Sequence, residues 1–282
     1  MRLLAIVEYD GTEFAGFQLQ RRPRQAPAPR TVQAELERAI EAASGRPARV
    51  VGSGRTDAGV HALAQAAHFD TEAPLAADLP RFRRAINAHL PPDVSVHELR
   101  RVPPEFHARF SARSRTYVYR ILNGETPSPL LRRYTHHVRQ PLDVGRMAEA
   151  ARALVGSYDF TAFAAQEEGR GARRDVYRAV VAVVWPERAM IWHTESREPG
   201  ADLMAPEARG VARAPAWRVV EIEVEANAFV RHMMRRIAGT LIRVGLGRLA
   251  PGEVAAIIAS REKARAGPTA PARGLCLKQV SY

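Results

Sequence analysis

Apolar and polar residues alternate from Leu3 to Tyr9, the period-two pattern of a strand, and Asp10-Gly11 behind it supplies a turn. Thr31 is placed to cap a helix whose apolar positions Val32, Leu36, Ala39, Ile40 and Ala43 fall at helical spacing, and Gly45 is placed to end it. Residues 49–52 and 64–69 read as short strands on either side of a glycine-rich loop, Gly52 to His61. A helix over 79–89 and a strand over 94–99 follow. From Arg115 to Leu122, Tyr117, Tyr119 and Ile121 alternate with Thr116, Val118 and Arg120, which predicts a strand with one aromatic and one polar face. A second helix is predicted over 144–154. Residues 176–185 are almost continuously apolar and β-branched, whereas 217–225 set Val220, Ile222 and Val224 against Glu221, Glu223 and Glu225, a strand with one wet face. From Phe229 to Leu246 a helical period gathers Val230, Met233, Met234, Ile237, Leu241 and Val244 on one arc and Arg231, His232, Arg235, Arg236 and Arg243 on the other.

Runs of strands interrupted by a few helices, without strict βαβ alternation, predict an α+β fold built on a largely antiparallel sheet. The 282 residues suffice for two domains, and a boundary near residue 112 gives an N-terminal α+β domain over 1–112 carrying the glycine-rich loop and a C-terminal one over 113–282. Two stretches stand outside this pattern. Residues 21–30 hold three prolines and four arginines and read as a basic loop; residues 195–215, rich in Pro, Gly, Glu and Arg, read as a surface insertion.

Composition narrows the class. With 46% hydrophobic and 26% charged residues the chain is neither disordered nor fibrous, and no apolar run approaches the ~20 residues of a membrane-spanning helix. The opening Met1 to Glu8 reaches an acid before a signal peptide's apolar region could form, and the single Cys276 allows neither an internal disulfide nor a zinc site of its own, so a reducing cytoplasm is expected. The formal net charge is +12, and of the 42 basic residues only Lys263 and Lys278 are lysines. Such a field attracts polyanions, and guanidinium forks suit phosphate well. A GC-rich genome would also favour arginine over lysine, but it does not by itself put base in excess of acid.

Three clusters could carry chemistry. In the loop from Gly52 to His61, three glycines, a serine and a threonine surround one acid, Asp57. Its carboxylate could serve as nucleophile or base, or bond its own backbone as an Asx turn does. Arg55, two residues earlier, would share a face with Asp57 in an extended segment and could keep it ionised. Asp57 and His61 could also be metal ligands, but no third ligand lies at a characteristic spacing, and no metal site is expected. Phosphate-loop, dinucleotide and serine-nucleophile motifs are missing too. The second cluster, Phe106 to Arg120, interleaves rings and cations, a surface that can stack bases and contact phosphates or simply be an amphipathic strand. The third is the basic arc of the Phe229–Leu246 helix.

These segments together resemble one family. Gly54-Arg55-Thr56-Asp57-Ala58-Gly59-Val60-His61-Ala62 closely resembles the active-site motif of the TruA-type tRNA pseudouridine synthases. The resemblance extends, in family order, over Tyr9-Asp10-Gly11-Thr12, Gly16-Phe17-Gln18, Thr31-Val32-Gln33, Phe106-His107-Ala108-Arg109-Phe110-Ser111-Ala112 and Asn227-Ala228-Phe229-Val230-Arg231-His232-Met233-Met234-Arg235, with Ala272 to Leu277 similar to the closing strand. It implies a two-domain pseudouridine synthase fold with a central antiparallel sheet flanked by helices and a basic active-site cleft. It also implies isomerisation of uridine to pseudouridine at positions 38, 39 and 40 of the tRNA anticodon stem-loop, by a cytoplasmic homodimer without a cofactor.

Carried over residue by residue, Asp57 is the nucleophile, Tyr117 lies against the flipped uracil, Arg55 contacts RNA and assists flipping, and Arg235 is the base expected to pair with the catalytic acid. Phe106, His107, Arg109 and Phe110 fall in the RNA-binding segment. Phe17 stands where a tryptophan is more familiar, the 21–30 loop is longer than usual, and 195–215 has no counterpart. The competing expectations are a sister synthase acting on other RNAs and a non-catalytic tRNA-binding paralogue; the latter would be free to lose Asp57, Tyr117 or Arg235, and all three are present.

Overall fold

The computed structural model describes residues 1–20, 29–165, 171–184 and 217–282. Most of the basic loop, 21–28, and the whole 195–215 insertion therefore lie outside the described residues. The chain forms two compact units, Met1–Arg113 with Leu277–Tyr282, and Ser114–Cys276.

In the first unit the strands β1 (Arg2–Tyr9), β2 (Val51–Gly52), β3 (His61–Asp70), β4 (Val94–Val102) and the end of β10 (Leu275–Ser281) form a sheet in the order β4-β1-β3-β10, with β2 on β3. β1 runs antiparallel to both β3 and β4. Helices α1 (Val32–Ser44) and α2 (Leu79–His89) bring Leu36, Ile40 and Ile86 onto Ala5, Ala67, Phe69, Val96 and Leu99 around one apolar space. α1 begins and ends as its sequence dictates: the Thr31 hydroxyl accepts the Ala34 N–H at 3.3 Å, and Gly45 takes the left-handed conformation at φ 71°. β3 starts at His61, earlier than expected, because its first residues pair with the end of β1, with Tyr9 opposite Ala62.

In the second unit β5 (Ser114–Gly124), β9 (Trp217–Ala226), β8 (Arg173–Val184) and β7 (Gly156–Asp159) are antiparallel neighbours in that order, and β6 (His136–Val138) runs parallel to β5. Tyr119, Ile121, Val220, Ile222, Val224, Val181 and Val183 share one buried face, with α3 (Val144–Arg152) against β8 and α4 (Met233–Gly245) against β5 and α3. α5 (Glu253–Ser260) contacts α3 and β7.

Two expectations are corrected here. β5 is buried along both faces, because its polar residues meet β9 partners: Arg120 is 1% exposed and its Nε lies 3.0 Å from Glu221 Oε1, and the Ser114 hydroxyl donates to Glu225 at 2.6 Å. The glutamate face of β9 is accordingly half-buried and ion-paired, with Arg178 on Glu223, rather than simply wet. The second correction concerns α4, which starts at Met233 and not at Phe229. His232 sits in the left-handed region at φ 66°, and the Arg231 carbonyl accepts the Ala165 N–H at 2.9 Å, so neither residue continues the helix.

Candidate active site

Asp57 stands in the first unit, half-buried, between the exposed Arg55 and Ala58 and next to the buried Thr56. The loop is built on the segment Tyr9 to Phe17, far from it in sequence. On one side the Tyr9 hydroxyl lies 2.8 Å from the Thr56 hydroxyl, and the Phe17 N–H donates to the Thr56 carbonyl at 3.2 Å. On the other, the Gly59 N–H donates to the Phe14 carbonyl at 3.3 Å and the Gly11 N–H to His61 Nδ1 at 3.0 Å. A turn closes over Asp57 itself, whose carbonyl accepts the Val60 N–H at 3.2 Å.

Close approach explains the glycines of that segment. A Cβ on Gly11 would stand 2.0 Å from the Val60 carbonyl oxygen, and one on Gly16, at φ +107°, would stand 2.6 Å from that of Thr56. Phe17, 2% exposed, lies against Gly52 and forms the floor of the loop. The entry to the loop is tied as well, since the Ser53 hydroxyl donates to Gln65 Oε1 at 2.7 Å.

Arg55 and Asp57 are not joined: Arg55 is exposed and has no ion pair or hydrogen bond among the described residues. The pairing expected from their spacing is not made, and the Arg55 guanidinium is left to solvent. His61 is directed to Gly11 and lies 3.1 Å from Asp10 Oδ1. Among the described residues no group of three or more His, Cys, Asp or Glu side chains is arranged to hold a metal.

The interleaved rings and cations from Phe106 to Arg120 are sorted by the fold into two environments. Arg115 and Arg120 go into buried β5, where Arg115 donates to the Asn227 carbonyl at 2.8 Å. The first half forms a surface loop of the first unit. There Phe106 turns to the Tyr282 ring, centroids 4.8 Å apart, while Arg2 donates to the Phe106 carbonyl at 2.9 Å. His107 Nδ1 accepts the N–H groups of Arg109 at 3.1 Å and Phe110 at 3.4 Å, which leaves the ring proton on Nε2 in the neutral form. Its ring lies 4.4 Å from that of Phe110. Phe110 is 76% exposed, with the Arg109 guanidinium 5.7 Å from its centroid. An exposed ring beside a cation, tethered through its backbone, is a platform on which a base can stack. Beneath it His68 accepts the Ala108 N–H at 3.1 Å, and burial, followed by repulsion from His107, lowers its affinity for a proton.

The second unit carries Tyr117 and Arg235. Tyr117, 8% exposed, meets the Phe229 ring edge-on at 4.8 Å and 74°. Phe229 is placed by the clasp before it: Asn227 and Asp175 exchange backbone and side-chain hydrogen bonds of 2.8–3.1 Å across the end of β8 and β9. On α4, Arg235 Nε donates to the Ala270 carbonyl at 2.7 Å and Arg236 donates to that of Lys263. Two of the five cations expected to face a phosphate or an acid are thus engaged with the chain that follows α5, and burial pushes the Arg236 guanidinium below its usual pKa. The Tyr119 hydroxyl donates to the Pro271 carbonyl at 2.9 Å, and its burial raises its pKa well above the ordinary value.

Beside it, burial, then the Arg273 guanidinium and His137, hold the His136 imidazole down at about 4. The unfolded chain takes up that proton near pH ~6.5. Stability from the neutral ring is therefore complete above pH ~6.5 and is lost as the pH falls toward the depressed value. His136→Gln is expected to flatten the acid-side fall in Tm over that window, read by thermal melts across pH; unchanged slopes would show that His136 does not contribute.

Sequence reasoning identified the Asp57 loop but missed its bed. The signal was present as the glycines at 11 and 16 around Phe14 and Phe17, yet nothing local says which loop they approach.

With this geometry in place, comparison with known proteins is direct. A family model described as tRNA pseudouridine synthase matches residues 5–111 and 150–282. A protein of Nitratidesulfovibrio vulgaris (strain Miyazaki F) named tRNA pseudouridine synthase A is 42% identical over 285 residues, covering 100% of this chain and 99% of its own. One from Moorella thermoacetica with the same name is 38% identical over 275 residues, 97% of this chain and 96% of its own. The tRNA pseudouridine synthase A 2 of Clostridium tetani is 37% identical over 276 residues, 98% and 96%. The chain belongs to the tRNA pseudouridine synthase family, among its TruA-type isomerases.

Proposed function

We propose that the protein converts uridine to pseudouridine at positions 38, 39 and 40 of the tRNA anticodon stem-loop, with Asp57 as the nucleophile. The observation that carries this reading is the Asp57 loop, whose backbone is gripped on both sides by Tyr9 to Phe17 while its acid remains only half-buried. A fixed backbone with an accessible carboxylate is what attack on a substrate atom requires. Asp57 adds to the sugar C1′ or to the base, the N1–C1′ bond breaks, the uracil turns, and a C5–C1′ bond forms. N1 gains a proton, C5 loses one, and Asp57 is released, so the reaction is an isomerisation without net gain or loss of atoms.

A uridine within a stem must first be extruded at a cost of a few kcal/mol. Arg55, solvent-facing and uncommitted among the described residues, is suited to fill the space left behind. Tyr117 is the ring assigned to the extruded uracil and Arg235 the cation assigned to the carboxylate, both by family resemblance. Phe106, His107, Arg109 and Phe110 form the RNA-contact segment, in which Phe110 is the exposed ring. The +12 charge supplies the long-range attraction to phosphates on which affinity depends. A basic active-site cleft, action as a homodimer and residence in the cytoplasm belong to the same proposal. No helix among the described residues is long and apolar enough to cross a membrane.

The test is to incubate the purified protein with unmodified tRNA transcripts bearing uridine at 38, 39 and 40 and to map pseudouridine by carbodiimide-dependent primer extension. Modification confined to those positions is expected. Modification elsewhere, or only of other RNAs, would make this a sister enzyme, and none at all would overturn the function.

A further inference from the structure

We propose that Tyr9 is a positioning residue for this reaction: through its hydroxyl it fixes Thr56, the residue immediately before Asp57, and thereby sets where the nucleophile stands. The inference rests on Asp57 being the nucleophile.

Tyr9 ends β1, where the pairing register with β3 slips between Val7 and Tyr9. Such an irregularity re-aims a side chain, and here Tyr9 reaches the underside of the loop. Its ring lies 6.3 Å from that of Phe17, and its hydroxyl is 2.8 Å from that of Thr56. Both residues are buried, at 3% and 7% exposure. Thr56 is thus held twice. Its side chain is bonded to Tyr9, and its carbonyl takes the Phe17 N–H while Gly16 closes in on the same oxygen.

One peptide unit further on is Asp57. The glycines that let the loop turn carry no side chain to hold it, and after Asp57 the chain is tied through backbone bonds, the Gly59 N–H to Phe14 and the Val60 N–H to the Asp57 carbonyl. Torsional restraint before Asp57 therefore falls on Thr56. Misplacement of a reacting group by about 1 Å can cost on the order of 100-fold in rate.

A purely structural hydroxyl pair would behave differently. When one buried partner is removed the other is stranded, which destabilises; removing both and leaving apolar groups of similar shape is nearly neutral. Tyr9→Phe with Thr56→Val therefore separates the two roles.

The experiment measures kcat, KM and Tm of the full-length protein on a tRNA substrate. Tyr9→Phe and Thr56→Val are each expected to lower kcat about tenfold with KM within about twofold. The double variant should recover Tm but not kcat, its loss remaining about tenfold and not multiplying. Thr56→Ser, which keeps the hydroxyl, should stay within about twofold of the parent. Recovery of kcat in the double variant, losses confined to KM, or a Thr56→Ser as slow as Thr56→Val would each overturn the proposal. Asp57→Ala, run in parallel, keeps the two readings apart. If it is inactive while Tyr9→Phe is fully active, only the positioning role fails; if it turns over, the nucleophile assignment fails and this role goes with it.

Discussion

Asp57→Ala is expected to abolish pseudouridine formation, by at least about 10⁴-fold in kcat, while tRNA affinity stays within about tenfold. The two halves of this expectation have different physical origins. If Asp57 is the covalent nucleophile, its loss removes the atom that must bond to the substrate, and binding or positioning by other groups does not replace that bond. Binding is spread over phosphate contacts, which a single acid in a half-buried loop does not provide. The loop should also survive the substitution. Its fixed points are the carbonyls of Thr56 and Asp57 and the N–H of Gly59, bonded to Phe17, Val60 and Phe14, and these are backbone atoms that the alanine variant would retain. Asp57→Asn removes the charge at nearly constant volume and should be as inactive. Single-turnover assays and filter binding measure the two quantities separately, and turnover by either variant would refute the assignment.

Gly239→Ala is expected to lower stability by about 3 kcal/mol, or about 6–12 °C in Tm. In an exposed helix the same change would help, by roughly 0.5–1 kcal/mol. Here α4 crosses the chain after α5 at two facing glycines: a Cβ on Gly239 would stand 1.9 Å from the Pro268 carbonyl oxygen, and one on Gly267 would stand 2.5 Å from the Gly239 carbonyl carbon. Both obstacles are backbone, so no rotamer change relieves them. The strap cannot easily retreat, because the Gly267 N–H donates to the Thr240 hydroxyl at 2.8 Å and Ala270 exchanges hydrogen bonds with Arg235. Gly171→Ala, with nothing among the described residues within 4 Å of its Cβ, is the control and should change stability by less than about 0.5 kcal/mol. Equal melting temperatures for the two variants would show that the crossing tolerates a methyl group. Because Arg235 is bonded to the displaced strap, Gly239→Ala should also reduce activity below its melting range.

Elements whose signals are local were legible. α1 has its cap at Thr31 and its stop at Gly45, α2 runs over the predicted 79–89, and β1 and β9 follow their alternation almost to the residue. The Asp57 loop stood out by its glycines, and the family motif assigned its acid a role. Other features were not legible, for one recurring reason. An amphipathic pattern shows that two faces differ, but not what covers each face. The segment holding Arg115 and Arg120 read either as a nucleic-acid surface or as an amphipathic strand, yet both arginines are buried because Asn227, just past the end of β9, and Glu221 within it lie beside them, about a hundred residues away in sequence. The basic arc of α4 read as a face for anions or acids, and nothing in its sequence signals that Arg235 Nε and Arg236 also bond the backbone carbonyls of Ala270 and Lys263.

The sequence alone determined that this chain is an α+β protein with a strongly basic charge and a carboxylate loop of the TruA type, since composition, periodicity and a nine-residue motif are all written in consecutive positions. Tertiary structure alone decided which of its many arginines are spent inside the fold, that Phe110 is the exposed ring of the 106–110 segment, and that the loop around Asp57 rests on Tyr9 to Phe17. Contacts of that kind join residues tens to hundreds of positions apart, and no local pattern encodes the partner that burial selects.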